Sequence, residues 1–327
     1  MDEFSFIRSI RPKDYKQQSL IKGIDDDAAV FRPIGEDVVT AVDTMVEGVH
    51  FSRQTMTPSD VGYRALAANI SDLAAMGSTP AFYLVSLVVS ESWSEAELHQ
   101  LYEGMSELAD EHGMDLIGGD TVSGSELSVS ITVFGYVDKD KARYRSDAEE
   151  GDVVFVTGTL GDSRAGLACM QKSMNRTNEI DYLIGRHQRP SPRVAFAQAL
   201  KNCKRVALND VSDGIANETN EIAESSQVDL VIQANFVPTS EAIQAVFPQV
   251  VQEWSLSGGE DFELLGTVSK AEWSLVEEAA SATGVAVTVI GEVKKMNDET
   301  PRVYIETEEG RTILRKSGYT HLKKEGE

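Results

Sequence analysis

"TPSDVGYRALAANISDLAAMG", residues 57–77, is the stretch whose reading decides the fold. Thr57 stands where a helix N-cap belongs, and Pro58 occupies the first helical position. Gly77 closes the helix and Pro80 follows it. Inside the helix, Asp72 is followed by Leu73, Ala74 and Ala75. Asp is a poor interior helix residue, and no Lys or Arg stands three or four positions away to pair with it. Asn69 lies one turn earlier on the same face. An Asn and an Asp together on an Ala-rich helix read as a polar site on an element that otherwise belongs in a core.

Outward from this helix the periodicity predicts strands at 38–44, 81–89, 114–118 and 127–137. A second helix is written in "WSEAELHQLYEGMSELADEHG", residues 93–113. It opens with a capping box of Ser94 and Glu97 and a staple of Trp93 with Leu98. Its apolar stripe is Leu98, Leu101, Tyr102, Met105, Leu108 and Ala109, which makes Tyr102 a core residue, and Gly113 ends it. Across 138–151 the pattern breaks into charged, non-periodic sequence, which sets a domain boundary with domains at 1–138 and 139–327. The second half restarts with the strand "GDVVFVTG" (151–158) and a helix after "TLGDSRAGL" (159–167), with strands to follow at 204–209, 228–234, 262–268 and 285–293. Helix and strand periods alternate throughout, so the fold class is α/β or α+β.

Composition narrows the function. The 327 residues are 41% hydrophobic and 25% charged, as in a globular protein with a sizeable core. The net charge of −23 leaves no basic footprint for nucleic acid. The longest apolar run, 81–89, is too short to span a bilayer. The start, Met-Asp-Glu, does not read as a secretory signal. Cys169 and Cys203 are the sole cysteines and match no zinc spacing. A cytoplasmic location is the simplest expectation.

Six acidic clusters stand out. "GIDDDAAVF" (23–31) sets Asp25, Asp26 and Asp27 at the mouth of what reads as the start of a buried strand over 28–31. "AVDTMVEGVHF" (41–51) carries Asp43 and His50, "NISDLAAMG" (69–77) carries Asp72, and "LIGGDT" (116–121) carries Asp120. The second half supplies Asp210 and Asp213 in "ALNDVSDGI" (207–215), and Glu260, Asp261 and Glu263 in "LSGGEDFELLG" (256–266). All but Asp72 are expected at the end of an apolar element. Two like charges about 4 Å apart repel by about 1 kcal/mol in water and about 4 kcal/mol at an effective dielectric near 20. Each cluster alone is as well explained by turn chemistry, and Asp210 to Asp213 by capping of the next helix. Together, hard oxygen donors without thiols or clustered histidines suit Mg²⁺, which joins a few carboxylates to substrate phosphates. Gly158 and Gly161 ahead of a helix offer a phosphate-binding turn that is not a Walker A loop. Arg143, Arg145, Arg189 and Arg193 are the available cations, with surface charge as their plainer reading. Neither kinase signatures nor a Gly-x-Ser-x-Gly elbow is present.

These blocks, with "TGTLGDSRAGL" (157–167), "RPSPR" (189–193), "IGEV" (290–293) and "GYTHL" (318–322), together resemble the thiamine-monophosphate kinase family. That family sits in the superfamily of aminoimidazole-ribonucleotide synthetase and selenophosphate synthetase. The match runs in order along nearly the whole chain. The resemblance implies transfer of the ATP γ-phosphoryl group to thiamine monophosphate, with several Mg²⁺ ions. It implies two α/β domains, an N-terminal domain with a mixed sheet that pairs in a homodimer, and a site between the domains. Carried onto matching positions, Asp27, Asp43, Asp72, Asp120, Asp210 and Asp213 are expected metal ligands. Gly119, Asp120, Arg145 and Ser212 are expected nucleotide contacts, and His50, Glu260 and Tyr319 are expected contacts to thiamine monophosphate. No residue is expected as a general base, because the accepting phosphate oxygen is already ionised near neutral pH. Two departures stand out: Asp25 where the family usually has Gly, and Val42 where it often has a hydroxyl residue. The alternatives are an amidine-forming synthetase of the same superfamily and a non-catalytic nucleotide- or thiamine-binding protein.

Overall fold

The computed structural model describes residues 10, 12–22 and 29–317. Asp25, Asp26, Asp27 and Tyr319 therefore lie outside the described residues. The chain divides into two compact units, Met1–Ala142 and Arg143–Glu327.

In the first unit, β1 (Leu20–Lys22) pairs with β2 (Val30–Phe31) as a two-stranded sheet. β3 (Glu36–Val46), β4 (Thr79–Ser90), β5 (Asp115–Gly124) and β6 (Ser128–Asp138) form a four-stranded sheet in the order β3-β6-β4-β5, with β4 and β5 parallel. Alternation assigns the faces. Val129, Ile131 and Val133 of β6 and Val85 and Leu87 of β4 are buried on the side carrying α1 (Pro58–Ala75) and α2 (Glu95–Glu111). The opposite side is open at Val42 and Val122, which are 61% and 49% exposed. The strand expected over 28–31 is not a buried one. Val30 is 48% exposed, because β2 is two residues long with a three-residue partner. Ala29 and Phe31 turn inward, the Phe31 ring 5.0 Å from Phe82 and 5.6 Å from Phe134.

Both helices start on complete capping boxes, Thr57 with Asp60 and Ser94 with Glu97. They cross through reciprocal glycines. A Cβ on Gly62 would stand 1.8 Å from the Leu101 carbonyl oxygen, and one on Gly104 would stand 1.9 Å from that of Ser59. Backbone meets backbone at this crossing. Tyr102 is buried, as its stripe requires.

The second unit is built on a seven-stranded sheet. Its strands are β7 (Val153–Thr157), β8 (Val206–Asp210), β9 (Asp229–Gln233), β10 (Leu264–Val268), β11 (Val287–Lys294), β12 (Val303–Thr307) and β13 (Gly310–Ile313), in the order β13-β12-β9-β11-β7-β10-β8. All neighbours are antiparallel except β12 and β9. Helices α3 (Asp162–Gln171), α4 (Asn178–Gln188), α5 (Val194–Ala199), α6 (Ile215–Ser226), α7 (Glu241–Val246), α8 (Val251–Ser257) and α9 (Trp273–Thr283) complete it. One core gathers Val154, Val156, Ala207, Leu230 and Leu265 with Ile215 and Ile222 of α6. A second joins Cys169, Ile180, Leu183 and Phe247. Both cysteines are free and buried.

The antiparallel register places function. Leu264 pairs with Asp210, and Leu265 with Val156. The end of β7, the end of β8 and the start of β10 therefore lie at one edge of the sheet. Three of the glycine-rich blocks read from the sequence, 157–162, 209–214 and 258–263, emerge there side by side.

Candidate functional site

In the first unit, α1 and β3 are pinned together by Asn69. Its side chain is 1% exposed; the Asp43 N–H donates to its Oδ1 at 3.0 Å, and its Nδ2 donates to the Ala65 carbonyl at 2.9 Å. Asp72 follows one turn later, half-buried. His50 accepts the Val46 N–H on Nδ1 at 3.0 Å, so the neutral ring carries its proton on Nε2. Burial raises the Asp43 carboxyl above its ordinary range, and His50 opposes only part of that rise. Asp43, His50, Asn69 and Asp72 thus belong to one polar neighbourhood at the junction of β3 and α1.

Asp43 and Asp120 lie within strands, not at their ends as expected. The sheet is solvated at this end, so polar residues continue the ladder out to the pair Ser90–Gly124. Asp120 accepts the Thr121 N–H at 2.9 Å. A Cβ on Gly119 would stand 2.0 Å from the Val85 carbonyl oxygen, so only glycine fits there. Register separates the two acids. Asp43 pairs with Ile131, Ile131 with Val85, and Val85 with Gly119. Three strand spacings put the Asp43 row on β5 roughly 14 Å from Asp43 itself. Asp120 is one residue off that row, so its side chain points to the other face. One chain does not bring these two carboxylates together.

In the second unit the three adjoining loops build a connected polar site. Asn209, at the end of β8, is 1% exposed. Its Oδ1 accepts Arg145 Nε at 2.8 Å, and its Nδ2 donates to Glu218 at 2.7 Å and Glu221 at 3.2 Å. Arg145 also pairs with Glu221 at 3.1 Å, while half of its side chain stays open. Glu218 of α6 accepts the Asp213 N–H at 2.9 Å and the Ser212 hydroxyl at 3.4 Å. Burial first, then Asp210, Glu221 and Asp213, push the Glu218 carboxyl up to about 8, with the Asp213 N–H opposing them. Arg145, Asp210, Ser212 and Asp213 are therefore assembled in one place. The helix-capping alternative for Asp213 does not apply: α6 starts on Gly214 at φ +108° with no side-chain cap.

The 258–263 loop is laced to this turn. The Glu260 N–H donates to the Ser212 carbonyl at 2.6 Å, and the Phe262 N–H to that of Val211 at 3.0 Å. A Cβ on Gly259 would stand 2.5 Å from the Ser212 carbonyl oxygen. Glu260 and Phe262 hold φ of +67° and +50°, a conformation that non-glycine residues rarely adopt. The loop is anchored from below. Glu263, fully buried, takes Arg193 Nε at 2.6 Å, Arg186 Nη2 at 2.7 Å and the Thr157 hydroxyl at 2.7 Å. Burial would raise its carboxyl, but Arg193, Arg186 and Thr157 outweigh that and hold it below its ordinary value.

The phosphate-binding reading of Gly158 and Gly161 is overturned. Asp261 already fills the N-terminus of α3, taking the Gly161 N–H at 2.6 Å and the Ser163 N–H at 2.9 Å on separate oxygens. A Cβ on Gly158 would meet the Glu263 carboxylate at 2.1 Å. These glycines make room for the protein's own acids. Nor are the arginines all surface charge. Arg143 is buried and donates to the carbonyls of Leu200 and Cys203, both at 3.0 Å, and Arg193 is committed to Glu263. Asn209, Glu218 and Glu221 carry no signal in the sequence that singles them out. Glu218 reads there as an ordinary first-turn acid of a helix.

Among the described residues, no three His, Cys, Asp or Glu side chains gather closely enough to cage a metal ion on their own.

Two units of mixed α/β structure, the first with acids on its strands and helix and the second with acid-bearing glycine loops, define a class. The AIR synthase related protein N-terminal domain matches residues 25–137, and the AIR synthase related protein C-terminal domain matches 149–304. E. coli HypE shares the fold at a TM-score of 0.79, with 19% identity and 98% of each chain covered. Within that class the similarity is specific. Thiamine-monophosphate kinase of Bacillus subtilis (strain 168) is 47% identical over 328 residues, covering 99% of this chain and 100% of its own length. That of Escherichia coli (strain K12) is 39% identical over 278 residues, with 83% of each covered. Thiamine-monophosphate kinase from Stenotrophomonas maltophilia K279a superposes with a TM-score of 0.83 at 34% identity, covering 93% of this chain and 96% of its own. AaThiL complexed with AMPPCP and TMP gives 0.75 at 29% identity, covering 92% and 93%. The chain belongs to the thiamine-monophosphate kinase family.

Proposed function

We propose that this protein is a kinase that transfers the γ-phosphoryl group of ATP onto the phosphate of thiamine monophosphate, giving thiamine diphosphate and ADP. The observation that carries this is end-to-end similarity: 47% identity over 99% of the chain to a thiamine-monophosphate kinase. The relative bound to AMPPCP and TMP supports the same pair of substrates.

Phosphoryl transfer asks chiefly for alignment and charge neutralisation. Arg145 directs its open side toward the nucleotide while Asn209 and Glu221 hold the rest of the guanidinium. Ser212 contacts the nucleotide from the turn that Glu218 braces, and Gly119 and Asp120 are nucleotide contacts too. Glu260, held in a rarely adopted backbone conformation, contacts thiamine monophosphate, and His50 and Tyr319 serve that substrate too. The attacking oxygen is already ionised, so no side chain need remove a proton.

The donors present fit a hard divalent cation. They are oxygen-only, and in the second unit burial first, then the neighbouring Asp210, Glu221 and Asp213, push the Glu218 carboxyl up to about 8. With no complete protein cage among the described residues, the pattern is that of Mg²⁺ sharing carboxylates with phosphates and water. Asp43 and Asp72 in the first unit, Asp210 and Asp213 in the second, and Asp27 and Asp120 are the residues to hold it. When bound, Mg²⁺ offsets the repulsion between donor and acceptor phosphates.

The protein works as a homodimer in the cytoplasm, with no membrane or nucleic-acid partner. No helix among the described residues is long and apolar enough to cross a membrane. The open sheet face bearing Val42 and Val122 supplies apolar surface for a second copy. Asp120 lies on that open face and Asp43 on the helix-bearing face, so a site that uses both carboxylates draws them from two copies.

Incubation of the purified protein with ATP, Mg²⁺ and thiamine monophosphate, followed by chromatography, tests the reaction. ADP and thiamine diphosphate are expected, and free thiamine should be a much poorer acceptor. Turnover of an aminoimidazole precursor with thiamine monophosphate untouched would place the protein with the amidine-forming synthetases instead.

A further inference from the structure

Arg145 and the Ser212–Asp213 turn come from separate stretches of chain, yet a single hydrogen-bonded path through buried Asn209 and Glu218 joins them. Arg145 donates to Asn209 Oδ1, and Asn209 Nδ2 donates to Glu218 Oε2. Glu218 Oε1 receives the Asp213 N–H and the Ser212 hydroxyl. The direction of the path is forced from both ends. A guanidinium and a backbone N–H can only donate, so the Asn209 amide has one workable orientation and Glu218 must accept on both oxygens. Asn209 and Glu218 are 1% and 2% exposed, so water does not stand in for a lost partner. The Ser212 carbonyl, on the other side of the same peptide, receives the Glu260 N–H. The turn is therefore clamped from two directions.

We propose that Asn209 and Glu218 are positioning residues that lock Arg145 to the Ser212–Asp213 turn, so that the nucleotide-binding groups of the second unit are set as one body. This rests on the reading above that Arg145 and Ser212 contact the nucleotide. Neither Asn209 nor Glu218 need touch it.

The geometry suggests a swap that separates positioning from mere packing. In Glu218→Gln one carboxylate oxygen becomes an NH₂, and a donor then faces either Asn209 Nδ2 or the Asp213 N–H. In Asn209→Asp an acceptor faces the Glu218 carboxylate. In the double variant the donor and acceptor trade places. The amide introduced at position 218 would donate to the carboxylate introduced at position 209, which still receives Arg145. The site then holds as many carboxylates as in the wild type. Glu221 loses its 3.2 Å contact to residue 209 but keeps Arg145.

The test measures KM for ATP, kcat, and affinity for a non-hydrolysable ATP analogue with Mg²⁺, in wild type, N209D, E218Q, the double variant and Arg145→Ala. Melting temperature is recorded for each. Each single swap is expected to raise KM for ATP and weaken analogue binding by about tenfold, or about 1.4 kcal/mol. KM for thiamine monophosphate should move much less, and the double variant should recover most of the loss. Two results overturn the proposal: single variants that melt lower but bind ATP as the wild type does, or a double variant no better than the worse single one. If either occurs while Arg145→Ala weakens ATP binding, the nucleotide site stands and only the positioning role falls. If Arg145→Ala leaves ATP binding intact, the reading of the nucleotide site falls, and the proposal with it.

Discussion

Asp72 and Asp261 are both acids in helical surroundings: Asp72 is proposed to hold a cation, whereas Asp261 accepts the Gly161 and Ser163 N–H groups at a helix start. Asp72 is half-buried on a helix whose neighbouring polar residue, Asn69, is spent on fixing β3. Asp72→Asn keeps the shape and removes one charge. Cation-free stability should hold or rise, activity should fall steeply, and the stabilisation by Mg²⁺ and nucleotide should shrink. That stabilisation is about 2.7 kcal/mol for a ligand at about 100 times its dissociation constant. Thermal melts with and without Mg²⁺ and an ATP analogue decide it; a less stable variant with near-normal activity would mark Asp72 as structural. Asp261 is a stability residue. Burial, opposed by Arg186 and the Ser163 and Gly161 N–H groups and assisted by Asp162, raises its carboxyl from 3.8 to about 7. A raised carboxyl contributes stability that is fully present below pH 3.8 and is lost as pH rises through about 7. One such group contributes a slope of at most about 1.4 kcal/mol per pH unit. Urea unfolding between about pH 5 and pH 8, without divalent cations, should show wild-type stability falling with pH and a flatter line for Asp261→Asn. Parallel lines would mean that Asp261 is ionised throughout.

At the scale of elements, the two helix starts of the first unit are fully legible in the sequence. Thr57 and Ser94 are local signals: both cap as read, Ser94 in its expected box with Glu97 and Thr57 in a further box with Asp60. The positions of β3 to β11 are legible from period, though β3 and β5 run further than their apolar stretches because their partners continue beside them; the short β1, β12 and β13 are not read from it. What cannot be read is pairing. Nothing near Asp120 reveals that β5 is the edge opposite β3, and nothing near Gly161 reveals that a carboxylate far along the chain occupies the helix start. Glu218 is hidden for the same reason: its partners are decided by which strands become neighbours. The helix crossing offers a direct check on packing. Gly104→Ala drives a Cβ against the Ser59 backbone, and overpacking of this kind costs about 1–3 kcal/mol or more. Gly185→Ala, in the interior of α4 with nothing within 4 Å of the added carbon, should instead gain up to about 1 kcal/mol from helix propensity. Melting temperatures of the two variants should move in opposite directions. A fall for both would mean that the crossing yields and that α4 needs its glycine for another reason.

For the whole molecule the decisive feature is that Asp43 and Asp120 sit on opposite edges and opposite faces of one sheet. Chains carrying Asp43→Asn and chains carrying Asp120→Asn should each be inactive alone. If two copies share each site, as proposed, then mixed in equal amounts and allowed to exchange they should regain about a quarter of wild-type activity, because half of the pairs are mixed and each mixed pair has one intact site. A mixture as dead as its components would mean that the two residues serve separate roles within each chain. If two copies share each site, as proposed, the same feature makes the enzyme a reporter of its own abundance. Diluted below the point at which copies part company, it should lose rate per molecule, recover it with a lag on reconcentration, and follow a second-order dependence on protein in between. A cell holding only a few copies would then gain more than in proportion from each additional one it makes.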